Sequence, residues 1–149
     1  MTVYLDTSNL VKLYVEEPAS DQVLELVRSA ALTVTSDVAY AETRAALARR
    51  RRDRTLTAAA FRTAKQHFES DWPAYLVIPA SPKLCLEAAD LAERYALRGF
   101  DSIHLASFAE MLRGLQGRDD AQFSSSDDKL SVAARRLART IRLARTSMR

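Results

Sequence analysis

Short apolar runs occur at four places in the chain: residues 2–5, 32–36, 75–78 and 121–126. Each run is rich in β-branched, aromatic or other apolar residues and is bounded by turn-forming residues, which predicts a β-strand. Between the runs, apolar residues recur every three or four positions, as is typical of amphipathic helices. An additional edge strand is expected over residues 140–144, TIRLA.

Helical segments are predicted in pairs between successive strands. Because strands that alternate with helices form parallel sheets covered on both faces, this order predicts a three-layer α/β/α fold with a parallel sheet of four to five strands. No repeat or linker divides the chain, so residues 1–149 are expected to form a single domain. The expected helices cover residues 10–15, 19–31, 38–50, 58–72, 82 to a stop at Gly99, 102–112 and 128–138, with a loop over 114–120.

Composition favours a folded cytoplasmic protein. Of the 149 residues, 48% are apolar and 28% are charged, which is typical of a globular chain. The single cysteine, Cys85, cannot form an internal disulfide or a thiolate zinc site, and we expect it to be buried. The first residues carry an acid and lack the basic region of a signal peptide, and no apolar run is long enough to span a membrane.

Basic residues are concentrated in two parts of the chain, although the net charge is only +3. Such clusters favour a polyanionic partner such as nucleic acid, and the first of them is the stronger candidate for that contact. The alternative is a solvated helix end together with a solubilising tail. The first cluster contains Arg49, Arg50, Arg51 and Arg52, and the second extends from Arg135 to Arg149.

Four acids lie where the predicted strands and helices meet. Asp6 and Asp127 follow the first and fourth strands, Glu42 lies one turn inside a helix, and Asp101 opens another. Taken singly, each acid can be read as a helix cap or, for Glu42, as the partner of Arg49. Because ligands bind at the carboxyl ends of parallel strands, we expect all four to face one cleft.

Clustered carboxylates require neutralisation. Two like charges about 4 Å apart repel by about 4 kcal/mol at an effective dielectric constant near 20. Hard oxygen ligands suit Mg²⁺ or Mn²⁺, and Mg²⁺ keeps several waters that leave room for phosphate oxygens. Such an ion can activate water and stabilise the charge that develops on phosphorus during displacement, so the acids indicate metal-assisted chemistry at a phosphate.

Four segments around these acids resemble the acidic motifs of PIN-domain nucleases, and most closely those of the VapC-type toxins of bacterial toxin–antitoxin pairs. The resemblance extends from Val3 to about Leu137, and it implies a parallel sheet flanked by helices, as the hydrophobic pattern predicts. The segments are YLDTSNLVKLY, SDVAYAETRAAL, LRGFDSIHLA and FSSSDDKLSVAA.

This resemblance also implies roles for the acids. Asp6 and Asp101 would be the main metal ligands, Glu42 would support the same ion, and Asp127 would complete the cluster. The protein would cleave RNA to leave a 5′-phosphate and a 3′-hydroxyl. A VapB-like antitoxin would hold it inactive, and toxins of this type commonly form homodimers.

Hydroxyl residues near the site follow from the same resemblance. Ser8 and Ser125 are expected to hydrogen-bond a carboxylate or a bound water. Either Asp127 or Asp128 can face the cleft, and the spacing from Ser125 favours Asp127. His104 is expected to pack beside the site as a helix residue without acting as a ligand or base.

Two other functions stay open at this point. One is a PIN-domain nuclease of RNA processing that has no antitoxin. The other is a nucleic-acid-binding module without catalysis, in which the basic clusters supply the affinity and the acids are caps. Loss of Mg²⁺-dependent cleavage in an Asp6 variant would distinguish catalysis from simple binding.

Overall fold

The computed structural model describes residues 1–115 and 120–147, and it contains a four-stranded sheet in the order β3-β2-β1-β4. All three strand pairs are parallel. The three-layer α/β/α arrangement and the predicted alternation of strands and helices are confirmed. The strands are β1 (Thr2–Leu5), β2 (Leu32–Ser36), β3 (Leu76–Ile78) and β4 (Ala121–Ser124).

The helices start and end largely where local sequence signals place them. Thr57 and Ser81 are N-caps whose hydroxyls accept a backbone N–H three residues on, and Pro82 follows Ser81 at the first helical position. The helices are α1 (Thr7–Leu10), α2 (Ser20–Ser29), α3 (Val38–Arg52), α4 (Ala58–Asp71), α5 (Pro82–Tyr95), α6 (Gly99–Gly114) and α7 (Asp128–Thr146), with 3₁₀ turns at Val11–Leu13 and Trp72–Ala74.

Strand β1 is central and is buried on both faces, which explains its continuous apolar sequence. Val3 and Leu5 point to one face, while Tyr4 points to the other, because side chains alternate along a strand. Each face is covered by its own helical layer. Asp6 directly follows this strand and therefore emerges between the two layers.

The layer on the Tyr4 face is built from α5, α6 and α7. Leu105 and Phe108 of α6 pack there with Leu130 and Ala134 of α7. Tyr4 stacks on Phe123 of β4 with ring centroids 5.4 Å apart. These contacts hold Tyr4 rigidly in the centre of this layer.

The layer on the opposite face is dominated by aromatic side chains. Phe68 of α4 is fully buried and lies 5.4 Å from the Tyr40 ring and 5.5 Å from the Trp72 ring. The hydroxyls of Tyr14 and Tyr75 contact each other at the edge of this cluster. The single tryptophan of the chain therefore belongs to this layer alone.

The expected edge strand over residues 140–144 is wrong. These residues continue α7, and Ile141 packs against the same core as Leu137 and Ala138. Their helical spacing lets them share one buried face, which outweighs the β-propensity of Thr140 and Ile141. The sheet therefore has four strands within the described part of the chain.

Three local expectations also differ from the structure. Helix α5 ends at Tyr95, where Ala96 adopts φ 52°, and Gly99 begins α6 rather than ending a helix. Cys85 is exposed, not buried. The first helical segment starts at Thr7, immediately after Asp6, and becomes a 3₁₀ turn at Val11.

Two of the sequence predictions fall partly on residues that the structure does not describe. Residues 116–119 of the expected loop and Arg149 of the basic tail lie outside the described residues. Among the helices formed by residues 1–115 and 120–147, none combines the length and apolarity needed to cross a bilayer.

Candidate active site

Asp6 is the deepest of the four acids, with only 4% of its surface exposed. It is the N-cap of α1, so its Oδ1 accepts hydrogen bonds from the backbone N–H of Asn9 at 3.1 Å and from the Ser8 hydroxyl at 2.7 Å. Its Oδ2 accepts a hydrogen bond from the Ser125 hydroxyl at 2.5 Å. Ser8 and Ser125 therefore both bind the carboxylate, as the sequence predicts.

Burial raises the pKa of the Asp6 carboxyl, and the hydrogen bonds from Ser125 and Ser8 only partly oppose that shift. Within the described residues, Asp6 forms no ion pair with a basic side chain. A buried carboxylate without a cation is unfavourable in its charged form. The surroundings of Asp6 therefore fit a bound cation.

Glu42 projects from the second turn of α3, and its Oε1 atom accepts two hydrogen bonds. Thr7 Oγ1 donates one at 2.7 Å, and His104 Nε2 lies at 2.8 Å. Burial alone would raise the pKa of the Glu42 carboxyl, but the bonds from His104 and Thr7 outweigh burial and lower it. Glu42 is thus held as a carboxylate, and it does not pair with Arg49.

His104 is buried on α6 beside the site, as expected, but its contacts are more extensive than the sequence indicates. Its Nδ1 atom lies 3.0 Å from the Tyr4 hydroxyl, while Nε2 faces Glu42 and lies 3.2 Å from Thr7 Oγ1. The spacing of three residues from Asp101 places both side chains on one helix face. This three-residue spacing was the only feature of the sequence that indicated a contact between His104 and the site.

Asp101 and Asp127 are partly exposed, with 20% and 34% of their side chains accessible, and they share one cation. Arg98, which is 82% exposed, is 2.9 Å from Asp101 and 3.7 Å from Asp127. Asp127 also caps α7 by accepting the backbone N–H of Leu130 at 2.9 Å. Asp128 is exposed in the first turn of α7, whereas Asp127 shares Arg98 with Asp101.

Small polar side chains connect Asp6 with Asp127 and join α1 to β4. The Ser125 hydroxyl donates to Asp6 and accepts the backbone N–H of Asp127 at 3.0 Å. Asn9 Nδ2 donates to the Ser124 hydroxyl at 2.8 Å and thereby joins α1 to the end of β4. Sequence reasoning missed Asn9, because its partner is 115 residues away.

The acids do not converge on a ready-made metal centre. In the part of the chain that the structure describes, no three His, Cys, Asp or Glu side chains are arranged to hold a metal ion. The donor chemistry nevertheless fits a hard divalent cation, because all the candidate ligands are carboxylates and Asp6 lacks a cationic partner. Hydrogen bonds and the shared Arg98 link Asp6, Asp127 and Asp101, whereas Glu42 is held separately by Thr7 and His104, so one cleft shared by all four acids stays a prediction.

The predicted RNA-binding arginines lie on the last turn of α3 and differ in their contacts. Arg50 binds Glu17 through two nitrogens, and Arg49 lies 3.7 Å from Asp53. Arg51 and Arg52 are exposed. Arg50 also lines a groove of about 370 Å³ that adjoins the site and includes Thr7, Ser8, Lys12 and Ser126.

Comparison with known proteins identifies the family. The PIN domain model matches residues 3–135. Ribonuclease VapC45 and Ribonuclease VapC49, from two strains of Mycobacterium tuberculosis (CDC 1551 / Oshkosh and H37Rv respectively), are each 36% identical over 105 residues. Each alignment covers 70% of this chain and 73% of the relative.

Solved structures show the same fold at lower sequence identity. VapC20 of Mycobacterium tuberculosis, described as a sarcin–ricin loop cleaving toxin, has a TM-score of 0.62 and 20% identity, covering 88% of this chain and 94% of its own. FitAcB of Neisseria gonorrhoeae has a TM-score of 0.66 and 17% identity, with 89% and 93% covered. Family model, relatives and fold agree with the four acidic motifs, and the chain belongs to the PIN-domain family, among its VapC-type members.

Proposed function

We propose that this protein is a Mg²⁺- or Mn²⁺-dependent endoribonuclease and the toxin of a VapBC-type toxin–antitoxin pair. The observation that carries the proposal is the buried Asp6 carboxylate at the end of the central strand, which lacks a basic partner in the described structure. It lies in a chain that is 36% identical to two proteins named as ribonucleases. Ribonucleases of the PIN family generally use divalent metals.

The acids would divide the work of holding the ion. Asp6 and Asp101 would be its main ligands, with Glu42 and Asp127 in support. A bound divalent ion supplies charge neutralisation at the phosphate and a more acidic water. Ser8 and Ser125 orient the Asp6 carboxylate by donating to its two oxygens, which fixes the direction of its lone pairs.

Cleavage would be a hydrolysis of the RNA phosphodiester. Water adds to phosphorus, the bond to the 3′ oxygen breaks, and the products are a 5′-phosphate and a 3′-hydroxyl. Asp6 is buried at the end of β1, whereas Asp101 and Asp127 are partly exposed and would be accessible to an RNA chain.

The test is cleavage of total RNA with Mg²⁺ or Mn²⁺. We expect Asp6→Asn and Asp101→Asn to abolish cleavage, whereas Asp90→Asn, a matched change at an exposed acid on α5, leaves it intact. Intact RNA with wild-type protein under every metal tried would contradict the proposal. RNA binding that is indifferent to Mg²⁺ and survives Asp6→Asn would instead indicate a non-catalytic binding module.

RNA contact is proposed for Arg49, Arg50, Arg51 and Arg52. Arg51 and Arg52 are the exposed members, so they are the best placed to reach a phosphate backbone. The double variant Arg51→Gln/Arg52→Gln should weaken binding of single-stranded RNA and reduce the slope of log K against log salt by about 0.7 for each lost contact. Arg94→Gln, at an exposed arginine on α5, is the charge-matched control.

An antitoxin and a second copy of this chain are the proposed protein partners. Support comes from the VapC names of the relatives and from the fold shared with VapC20. Co-expression with the protein encoded beside the toxin gene should yield a complex with suppressed cleavage. Light scattering of the purified toxin would establish whether it is a homodimer. Cleavage that no neighbouring protein inhibits would favour an RNA-processing nuclease without an antitoxin.

A further inference from the structure

His104 is a buried titratable side chain for which the proposed chemistry has no direct use. Only 3% of its side chain is exposed, and both ring nitrogens have polar neighbours. Nδ1 lies 3.0 Å from the hydroxyl of Tyr4, and Nε2 lies 2.8 Å from Oε1 of Glu42. The ring therefore connects the centre of the core with an acid at the site.

The hydrogen bond to Glu42 requires a proton on Nε2 of this ring. An ionised carboxylate can only accept, so the Nε2 atom facing Glu42 must carry the proton and donate. In the neutral ring, Nδ1 then has a lone pair and accepts the Tyr4 hydroxyl proton. This assignment satisfies both buried contacts, and Tyr4 is itself immobilised by stacking on Phe123 and by an edge contact with Phe108.

The two donors to Glu42 converge on one of its oxygens. Thr7 Oγ1 and His104 Nε2 both bind Oε1, at 2.7 and 2.8 Å, and no hydrogen bond in the described structure engages Oε2. A carboxylate held through one oxygen has a fixed plane and keeps the lone pairs of the other oxygen available. This is the arrangement that a supporting ligand of a metal ion or of its water requires.

We propose that His104 is a positioning residue, anchored by Tyr4, that fixes the orientation of the Glu42 carboxylate and leaves its Oε2 atom available to a ligand. The inference rests on the proposed metal-dependent function. His104 acts through Glu42 and touches neither the ion nor the RNA. Its effect is therefore expected on metal affinity, in addition to cleavage.

Two amide variants distinguish the hydrogen bond to Glu42 from the mere presence of a side chain in the same space. The amide nitrogen of glutamine lies about as far along the side chain as Nε2 of histidine, whereas that of asparagine lies near the Nδ1 position. In Mn²⁺ titrations followed by electron paramagnetic resonance, His104→Asn should raise the Kd about tenfold. His104→Gln should restore most of the affinity.

A double-variant cycle tests whether the effect passes through Glu42. If it does, His104→Asn should cause no further loss of Mn²⁺ affinity in a Glu42→Gln background. Wild-type Mn²⁺ affinity in His104→Asn would overturn the inference. So would an equal loss in both backgrounds, since His104 would then act by another route.

A metal-independent measurement keeps the two proposals distinct. Long-range ¹H–¹⁵N spectra of the folded protein should show His104 protonated at Nε2 and unprotonated at Nδ1. A proton at Nδ1 with a bare Nε2 would overturn the inference whether or not metal binds. Wild-type protein that binds no Mn²⁺ but shows the expected tautomer would instead contradict the proposed metal-dependent function.

Discussion

The candidate site consists of two pairs of acids that the fold treats differently. The inner pair, Asp6 and Glu42, is fixed by hydrogen bonds from Ser8, Ser125, Thr7 and His104. The outer pair, Asp101 and Asp127, shares a single surface cation, Arg98. The inner pair is thus held by hydrogen bonds from polar side chains, and the outer pair by an exposed guanidinium.

This difference gives the two pairs different properties. The inner pair is held in a fixed orientation, and the outer pair can exchange its cation. The hydrogen bonds to Asp6 orient its carboxylate without cancelling its charge, so Asp6 stays available to a cation at a cost in stability, whereas the hydrogen bonds to Glu42 stabilise its charged form. An exposed ion pair contributes little to stability and is weakened by salt, so the outer pair can change partners easily. The inner pair is suited to defining the position of an ion, and the outer pair to accepting it.

The largest contrast is expected from Asp6→Asn. Cleavage should fall at least about 100-fold, since transition-state charge stabilisation by a metal is worth several kcal/mol. In metal-free buffer at pH 7 the Tm should rise by about 2–4 °C, the shift that about 1 kcal/mol produces in a chain of this size. The pKa of Asp6 is raised by burial, so its ionisation destabilises the folded state as pH rises through that pKa.

Asp101→Asn is the matched change in the outer pair. Cleavage should fall comparably, but the Tm should move by less than about 2 °C, because Asp101 is partly exposed and its cation is a surface side chain. Thermal melts and cleavage assays of both variants provide the comparison. A lower Tm for Asp6→Asn than for wild type would show that the inner acid stabilises the fold, contrary to this account.

A second, smaller effect concerns the two members of the inner pair. The pKa of Glu42 is lowered, so it contributes stability above its ordinary value of 4.5 that is lost as pH falls through its folded-state pKa. At pH 7, Glu42→Gln should destabilise the protein by about 1 kcal/mol through weaker hydrogen bonds from His104 and Thr7. Urea unfolding at pH 7 and at pH 3.5 should show this difference shrinking in acid.

The direction of the stability change at pH 7 distinguishes Glu42 from Asp6. Asp6→Asn and Glu42→Gln should change stability in opposite directions at pH 7, and both differences should diminish in acid. Equal and parallel destabilisation by the two variants would mean that Asp6 and Glu42 have the same environment. The distinction within the inner pair would then fail.

The smallest effect is expected from Arg98→Gln. Removing this cation should leave the Tm unchanged within error, because the side chain is largely exposed. Mn²⁺ binding should become tighter by no more than a few-fold at low salt, since the ion no longer competes with a guanidinium for Asp101 and Asp127. The gain should disappear in 1 M salt, where the Debye length is about 3 Å. Unchanged or weaker Mn²⁺ binding would mean that Arg98 does not compete.

Sequence patterns predicted the frame of the site better than its internal contacts. The apolar run ending at Asp6 located strand β1, and this signal is local. The hydroxyl contacts of Ser8 and Ser125 were expected only from the resemblance to PIN-domain nucleases, and the contact between Ser125 and Asp6 spans 119 residues. The order of strands and helices followed from alternation of the same patterns.

Contacts that join distant segments were not predictable in the same way. His104 meets Glu42 across 62 residues and Tyr4 across 100, and no periodicity encodes such a pairing. Arg98 precedes Asp101 by three residues, but its reach to Asp127 depends on how α6 and α7 pack. The failed edge strand has a similar cause, because burial of Ile141 against the core overrode local propensity.

The fluorescence of Trp72 reports on only one of the two helical layers. It is the only tryptophan in the sequence, and it packs against Tyr40 and Phe68 in the aromatic layer. Its emission will change when that layer loosens and will not respond to changes in the layer that carries His104. Discordant fluorescence and circular dichroism melts would therefore reveal which side of the sheet opens first.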